Sequence, residues 1–371
     1  MSQSGIKRGI KRDIKTDISE PFFLALTMGD PAGVGPEIIA HAWPLFFDRA
    51  QFPHFHPVIY GQSEVMARAA KMYDPELTIE AISPGTPLSA EEYDRRFGPK
   101  VMVCRDVCSP EAALAVPGTV DRRGGEAAFA ALNAAIDAAL DGRAAGIVTA
   151  PLNKESLNLA GHHFPGHTEI LAWRCGIDDF AMMLYLGPDE NLAGEDGLSV
   201  VHVTLHTAMT NVFKQITPKS VEEKIFLIRD FMRIMKRGAD PAIGVCALNC
   251  HNGENGLFGR EEIDVIAPAV AAARAKGANA SGPFPSDTLF LAAKEGVYDS
   301  IVAMIHDQGH IAVKLLGMHK AVNITLGLPI IRTSVAHGTA FDKVGKGTAK
   351  ITSLLEATRV ALLLADARQT K

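Results

Sequence analysis

From Phe22 onward, apolar and polar positions change in blocks. A short apolar run is followed by a loop marked by glycine or proline, and then by an alanine-rich stretch with apolar residues at helical spacing. The runs Phe22–Thr27, His56–Tyr60, Gly146–Thr149, Ser199–Leu205, Ile243–Leu248, Ile301–Ile305 and Val322–Leu326 predict strands. The stretches Glu126–Leu140, Val221–Lys236, Asp264–Lys276 and Ile351–Ala365 predict helices. Such alternation predicts the α/β class. The segment Gly187–Gly197, with Asp189, Glu190, Glu195 and Asp196, reads as a solvated acidic hairpin loop without chemistry. Residues 1–20 stand apart as a basic tail, in which Ile6, Ile10, Ile14 and Ile18 would form a narrow apolar stripe if the segment were helical.

Five of the apolar runs end in polar, chemically able clusters: MGDPAGVGPE, APLNKE, HTAMTN, NCHNGENG and HDQGH. In open α/β sheets ligands bind at the carboxyl ends of the strands, so the five clusters are expected to converge. His206, His251 and His306 stand at the same relative position after three of the runs. A single histidine there is ordinarily a hydrogen-bonded structural residue. Three neutral imidazoles at one crevice suit a divalent ion of the zinc, cobalt or nickel type, with open positions for substrate oxygens. His202, on the same strand face as His206, reads as a supporting or merely packed residue. Lys314, Asn323 and Arg332 follow His306 and could hold an anionic group, the arginine through its planar fork. His167 and Thr168 add an imidazole and a hydroxyl within a glycine-initiated loop.

Composition narrows the function. At 371 residues the chain exceeds what one hydrophobic core comfortably serves, so two domains or one large α/β unit are expected. A formal net charge of −5 without a basic stripe argues against a nucleic-acid partner, and requires a locally cationic pocket if the substrate is anionic. Five cysteines do not read as a disulfide framework. Cys104 with Cys108 and Cys246 with Cys250 are spaced as core thiols. No apolar stretch reaches membrane-spanning length and no signal-peptide core is present, so the expectation is a cytoplasmic protein without a membrane partner. There is no G-x-G-x-x-G after a strand, no Walker loop, no H-E-x-x-H and no G-x-S-x-G. Any NAD must therefore bind outside an ordinary Rossmann site.

The strings TMGDPAGVGPEI, FPGHTEILA, LNCHNGENGLFGREEID, GPFPSDTLF, MIHDQGH and VNITLGLPIIRTSVAHGTAFD closely resemble the 4-hydroxythreonine-4-phosphate dehydrogenase family, in the family's order, from about residue 22 to the C-terminus. The resemblance implies a homodimer of two-domain α/β/α subunits, similar to the isocitrate and isopropylmalate dehydrogenase architecture, with the active site near the dimer interface. The division expected is 21–125 plus 312–371 for the first domain and 126–311 for the second, after the 1–20 tail. It also implies that His206, His251 and His306 are metal ligands, one of them supplied across the dimer. His167, Thr168, Lys314, Asn323 and Arg332 match substrate-binding positions. The implied reaction is NAD-linked oxidation of a hydroxy acid followed by decarboxylation, with zinc the first expectation and cobalt, magnesium or nickel as alternatives. Asp307 and Lys154 are the candidates for proton handling, each weighed against a role in orienting its neighbours.

The sequence departs from the biosynthetic pattern in places. HDQGH followed by IAVKLLG is closer to the catabolic branch, which acts on threonate or erythronate 4-phosphates or on cis-dihydrodiols of terephthalate. Ala336 replaces the aspartate usual in SVDHGTA, and Cys250 with Asn252 replace the usual proline and alanine around His251. Loss of that aspartate argues against an amino-acid substrate, whereas Arg332 and Asn323 favour a phosphorylated one. The expectation is a small phosphorylated four-carbon hydroxy acid, either 4-hydroxythreonine 4-phosphate or an acid-sugar analogue. Alternatives are a decarboxylating terephthalate cis-dihydrodiol dehydrogenase, a metal-dependent hydrolase or aldolase, and a non-catalytic binding protein that kept the fold.

Overall fold

The computed structural model describes residues 21–369, so the stripe expected in the 1–20 tail lies outside the described residues. The strands are β1 Phe22–Thr27, β2 Phe55–Gly61, β3 Thr78–Ile82, β4 Val101–Asp106, β5 Gly146–Thr149, β6 Ala181–Leu186, β7 Leu198–His202, β8 Ile243–Cys246, β9 Ala280–Phe284, β10 Ser300–Ala303, β11 Val322–Leu326 and β12 Arg332–Val335. They form one sheet in the order β3-β4-β2-β1-β5-β12-β11-β6-β7-β10-β8-β9. Several are short runs buried on both faces, such as GIVT in β5, IGVC in β8 and SIVA in β10. Parallel strands covered on both sides read as continuous apolar runs in this way. β3, β4, β9 and β12 went unread in the sequence because they are punctuated by charge, glycine or proline, whereas β6, the unbroken apolar run AMMLYL, was simply not read as a strand.

Helices cover both faces. In β6 and β7, Met183, Tyr185 and Val201 join the main core, while the alternate residues Leu184, Leu186 and Val200 join a second cluster with Val313 and Ile301. That period of two is the signature of a sheet with a core on each side. No helix among the described residues is long and apolar enough to cross a membrane.

One feature of the sheet alters the expected site. β11 is antiparallel to both β12 and β6, and β6 is antiparallel to β7. β7, β10 and β8 are parallel to one another. They therefore run opposite to β1 and β5, and the five polar clusters do not leave from one common edge as expected. The expectation assumed a uniformly parallel sheet.

The long helix Arg122–Leu140 begins four residues before the predicted Glu126, capped by the Asp121 side chain. Gly124 and Gly125 lie inside it. A Cβ on Gly125 would sit 1.9 Å from the Ser156 carbonyl oxygen, so the glycine is there for close approach rather than for a turn. The boundary expected at 125/126 falls inside this helix, and the one at 311/312 falls inside the helix His306–Gly317. β5, placed by that division in the second unit, pairs with β1 and β12. The acidic Gly187–Gly197 segment does connect the β6–β7 hairpin, but Asp189 is not solvated: its side chain is 4% exposed and paired with Lys320 at 2.5 Å.

Candidate active site

β7 and β10 lie side by side, and His206 and His306 follow them closely in sequence. Their ring centroids are 6.1 Å apart. In each ring Nδ1 is engaged by a carboxylate: Glu169 Oε1 at 3.3 Å for His206 and Asp307 Oδ1 at 2.7 Å for His306. A carboxylate at Nδ1 fixes the proton there and leaves the Nε2 lone pair for a ligand, the arrangement seen where histidine binds a metal. The two histidines therefore fit a divalent ion, and Asp307 acts here as an orienting partner. The His206 backbone is itself held at a positive φ of 30°.

Behind them lies a second pair. The His310 ring stacks on His306 at 3.7 Å, and His310 Nδ1 lies 3.3 Å from His202 Nε2. Both are buried. Burial, followed by the charges of neighbouring histidines, drives His310 down to about 3, and burial drives His202 to about 4. Neutral and packed, they hold the face of His306. A Cβ at position 309 would come within 2.3 Å of His202 Nε2, which explains the glycine of HDQGH. His202 thus takes the supporting place read from its strand register, whereas His310 went unread.

His251 follows the adjacent β8 and is exposed, on an unusual backbone. Residues 251–256 all have positive φ, from 43° at Glu254 to 95° at Gly256. A left-handed run of non-glycine residues costs roughly 1–2 kcal/mol per residue and persists only when its surroundings fix it. Buried Glu262 does so: Oε1 accepts from the Leu248 and Asn249 amides at 2.8 and 2.7 Å, and Oε2 accepts from Asn249 Nδ2 at 3.0 Å. Within one chain, His206, His251 and His306 do not form a three-ligand cluster.

The anion side is built on β12, β11 and β5. Arg332 starts β12 rather than ending a run, and is 2% exposed. Its Nε and Nη2 donate to Thr149 Oγ1 at 3.2 and 2.8 Å, and Nη1 donates to Thr325 Oγ1 at 3.1 Å and Asn323 Oδ1 at 3.5 Å. Among the described residues no carboxylate stands within ion-pair distance of it. Burial pulls its pKa down to about 9, with Glu169 the counteracting charge. His167, opening the helix His167–Cys175, is pushed well below its usual pKa by burial and then by Arg332. Thr168 beside it is buried.

Glu169 joins the two halves. It contacts His206, feels Arg332 and Lys154, and has a buried Oε2 without a hydrogen-bond partner. It sits in the third position of its helix, within FPGHTEILA, but its role was not read from the sequence. Lys154 is exposed at the start of the helix Lys154–Leu159, beside Gly166. Lys314 is exposed two turns along the helix from His306, and it makes no hydrogen bond to Arg332 or Asn323. Histidine–carboxylate pairs on one side and a buried cation with no ion-pair partner among the described residues on the other make a site for an anionic, metal-chelating ligand.

Residues 53–361 match the family model described as pyridoxal phosphate biosynthetic protein PdxA. D-threonate 4-phosphate dehydrogenase of Salmonella typhimurium is 42% identical over 346 residues, covering 92% of this chain and 98% of that protein. The crystal structure of 4-hydroxythreonine-4-phosphate dehydrogenase from Klebsiella pneumoniae superposes with a TM-score of 0.74 at 40% identity, covering 93% and 99% of the two chains. A terephthalate 1,2-cis-dihydrodiol dehydrogenase from Burkholderia xenovorans is more distant, with a TM-score of 0.61 at 29% identity over 93% and 98%.

Proposed function

Since the chain belongs to the family of the pyridoxal phosphate biosynthetic protein PdxA, we propose that it is a metal-dependent, NAD-linked dehydrogenase that oxidises and decarboxylates a phosphorylated four-carbon hydroxy acid of the D-threonate 4-phosphate kind. The observation that carries this reading is Arg332, a fully buried guanidinium held by two hydroxyls and an amide oxygen, with no ion-pair partner among the described residues. A buried cation is costly unless an anion arrives to pair with it. Its planar fork matches a phosphoryl group, with Thr149, Asn323 and His167 lining the same place.

His206 and His306 would hold the divalent ion through Nε2, with His251 reaching the site from a partner subunit. When bound, the ion draws electron density from the substrate hydroxyl and carboxylate while NAD accepts the hydride. The hydroxyl lies β to the carboxylate, so loss of its proton and of the carbon-bound hydride leaves a β-keto acid. That acid breaks its C–C bond to release CO2, and the remaining enolate takes up a proton at carbon. Lys154, exposed beside Gly166, would exchange these protons, while Asp307 keeps the His306 ring in register.

Ala336 supports an acid without an amine. Its side chain packs on the second apolar cluster and offers no charge to an ammonium group. The homodimer is supported by the helix His306–Gly317 and its end, where Ile311, Leu315 and Met318 are exposed at spacings of four and three, with Leu315 83% accessible. The helix begins at His306, so a partner covering that stripe reaches the metal side of the site.

The test is NADH absorbance with zinc, NAD and, in turn, D-threonate 4-phosphate, 4-hydroxythreonine 4-phosphate and the terephthalate cis-dihydrodiol. D-Threonate 4-phosphate is expected to give the highest kcat/KM, with CO2 released in step with NADH. Turnover without NAD, or preference for the dihydrodiol, overturns the reading.

A further inference from the structure

At the opposite side of the chain's chemistry, His54 and His56 bracket the start of β2, and Asp94 lies on the helix Ala90–Arg96 packed nearby. A spacing of two in an extended segment directs both imidazoles to one side. His54 Nε2 lies 3.1 Å and His56 Nε2 3.0 Å from the same oxygen, Asp94 Oδ1, and the three potential ligand atoms all lie within 4.8 Å of one another. Among the described residues this is the one group of three histidine, cysteine or carboxylate side chains with that geometry. None of the three belongs to the site described above.

We propose that His54, His56 and Asp94 form a second metal site, which takes a zinc-like divalent ion and clips the helix Ala90–Arg96 to β2. In a tetrahedral zinc site with ligand bonds of about 2.0–2.1 Å, neighbouring ligand atoms are roughly 3.3–3.4 Å apart. The two nitrogen–oxygen separations therefore need to open by only a few tenths of an ångström. The rings meet at 79° with centroids 5.0 Å apart, so they converge at their nitrogens rather than stacking. His56 is preorganised: fully buried, it sits between the Phe23 ring at 4.8 Å and the Tyr93 ring at 4.5 Å. His54 and Asp94 are half exposed, which leaves a route from solvent and room for a water as fourth ligand.

Donor chemistry narrows the ion. Two imidazoles and one carboxylate suit zinc, cobalt or nickel, whereas magnesium and calcium prefer oxygen donors. Arg49, tied to the Pro53 carbonyl oxygen at 3.0 Å, adds a nearby positive charge that disfavours an ion held by field alone. Burial also lowers the His56 pKa, which keeps its ring neutral and available as a ligand. The simpler arrangement, two histidines donating to one carboxylate, is the same geometry with protons in place of the ion. The two differ in what the protein retains.

The experiment uses the full chain, stripped with chelator, dialysed against micromolar zinc and then against metal-free buffer, with zinc counted per chain. Wild type is compared with His54→Ala and with Asp94→Asn. Both positions are half exposed, so folding should survive, and circular dichroism verifies it. Any ion at His206 and His306 is common to all three proteins and cancels. Wild type is expected to retain one zinc per chain more than either variant, and its Tm to rise with zinc by more than theirs. NADH formation by His54→Ala is expected to match wild type. Equal zinc content in folded wild type and His54→Ala overturns the proposal, whatever becomes of the dehydrogenase activity.

Discussion

Arg332 shows what a residue's identity reveals and what only its surroundings can. The fork suited to phosphate was legible as chemistry in the sequence. Its burial was not, because LGLPII followed by arginine reads as a run ending at the surface. In the fold, the chain turns after Pro329 and Arg332 opens an interior strand, so the hydroxyl of Thr149, far away in sequence, and that of Thr325, on the antiparallel neighbour β11, become its partners. Glu169 and His310 were hidden for a related reason: the fold brings Glu169 to His206 and His310 to His202. The anion role has a direct consequence. Arg332→Lys keeps the charge but loses the fork, and is expected to raise KM for the phosphorylated acid roughly tenfold. Arg332→Ala removes a charged hydrogen-bond donor worth about 3 kcal/mol, and is expected to raise KM roughly a hundredfold. Because the phosphoryl group takes no part in the bonds made or broken, kcat should change far less than KM. A variant whose KM is unchanged for that substrate would remove Arg332 from the anion site.

Among elements, the left-handed run at residues 251–256 is the least ordinary. Asn-Gly and Asn-Gly again, in HNGENG, were readable as turn-forming residues. Nothing in their spacing indicated that six residues in succession would turn left-handed, because that conformation is imposed by an external brace. The brace is Glu262, at the start of the following helical segment, which accepts from the two amides leading into the run. Glu262→Ala leaves the Leu248 and Asn249 amides without their acceptor, at a cost of roughly 1–3 kcal/mol for each buried group unsatisfied, while Asn249 Nδ2 keeps only Glu261 Oε2 at 2.7 Å. The run is then expected to relax toward right-handed geometry and carry His251 away. Zinc retention at the histidine site should fall about 10–100-fold, the range found when groups that orient ligands are removed. Glu262→Gln keeps one carbonyl oxygen and should recover part of the loss. Zinc affinity of Glu262→Ala equal to wild type would show that His251 does not depend on this brace.

At the scale of the whole molecule, strand ends pointed to His206 and His306, which the fold brings together, but not to the way the sheet assembles them. Apolar runs gave β1, β5, β8, β10 and β11 nearly to the residue, since strands buried on both faces leave an unbroken apolar signature. Strand direction leaves no such mark. The antiparallel β11 and β6 reverse one half of the sheet against the other, and the helix His167–Cys175 carries Glu169 to His206 where a common edge was expected to do so. His251, in the loop after β8, does not join His206 and His306 in a three-ligand cluster within one chain, so a three-histidine centre would need a second copy. The exposed stripe of Ile311, Leu315 and Met318 supplies a surface for it, since large apolar residues aligned on one helix face are seldom left in water. Placing a charge at its centre tests both ideas together. Leu315→Lys is fully tolerable for a monomer, where the position faces solvent, but buries an unpaired ammonium in a dimer. Light scattering is expected to show wild type as a dimer and Leu315→Lys as a folded monomer, with NADH formation reduced at least a hundredfold because His251 is no longer supplied across the interface. A monomeric wild type, or a monomeric Leu315→Lys that retains full turnover, would mean that one chain completes the site alone.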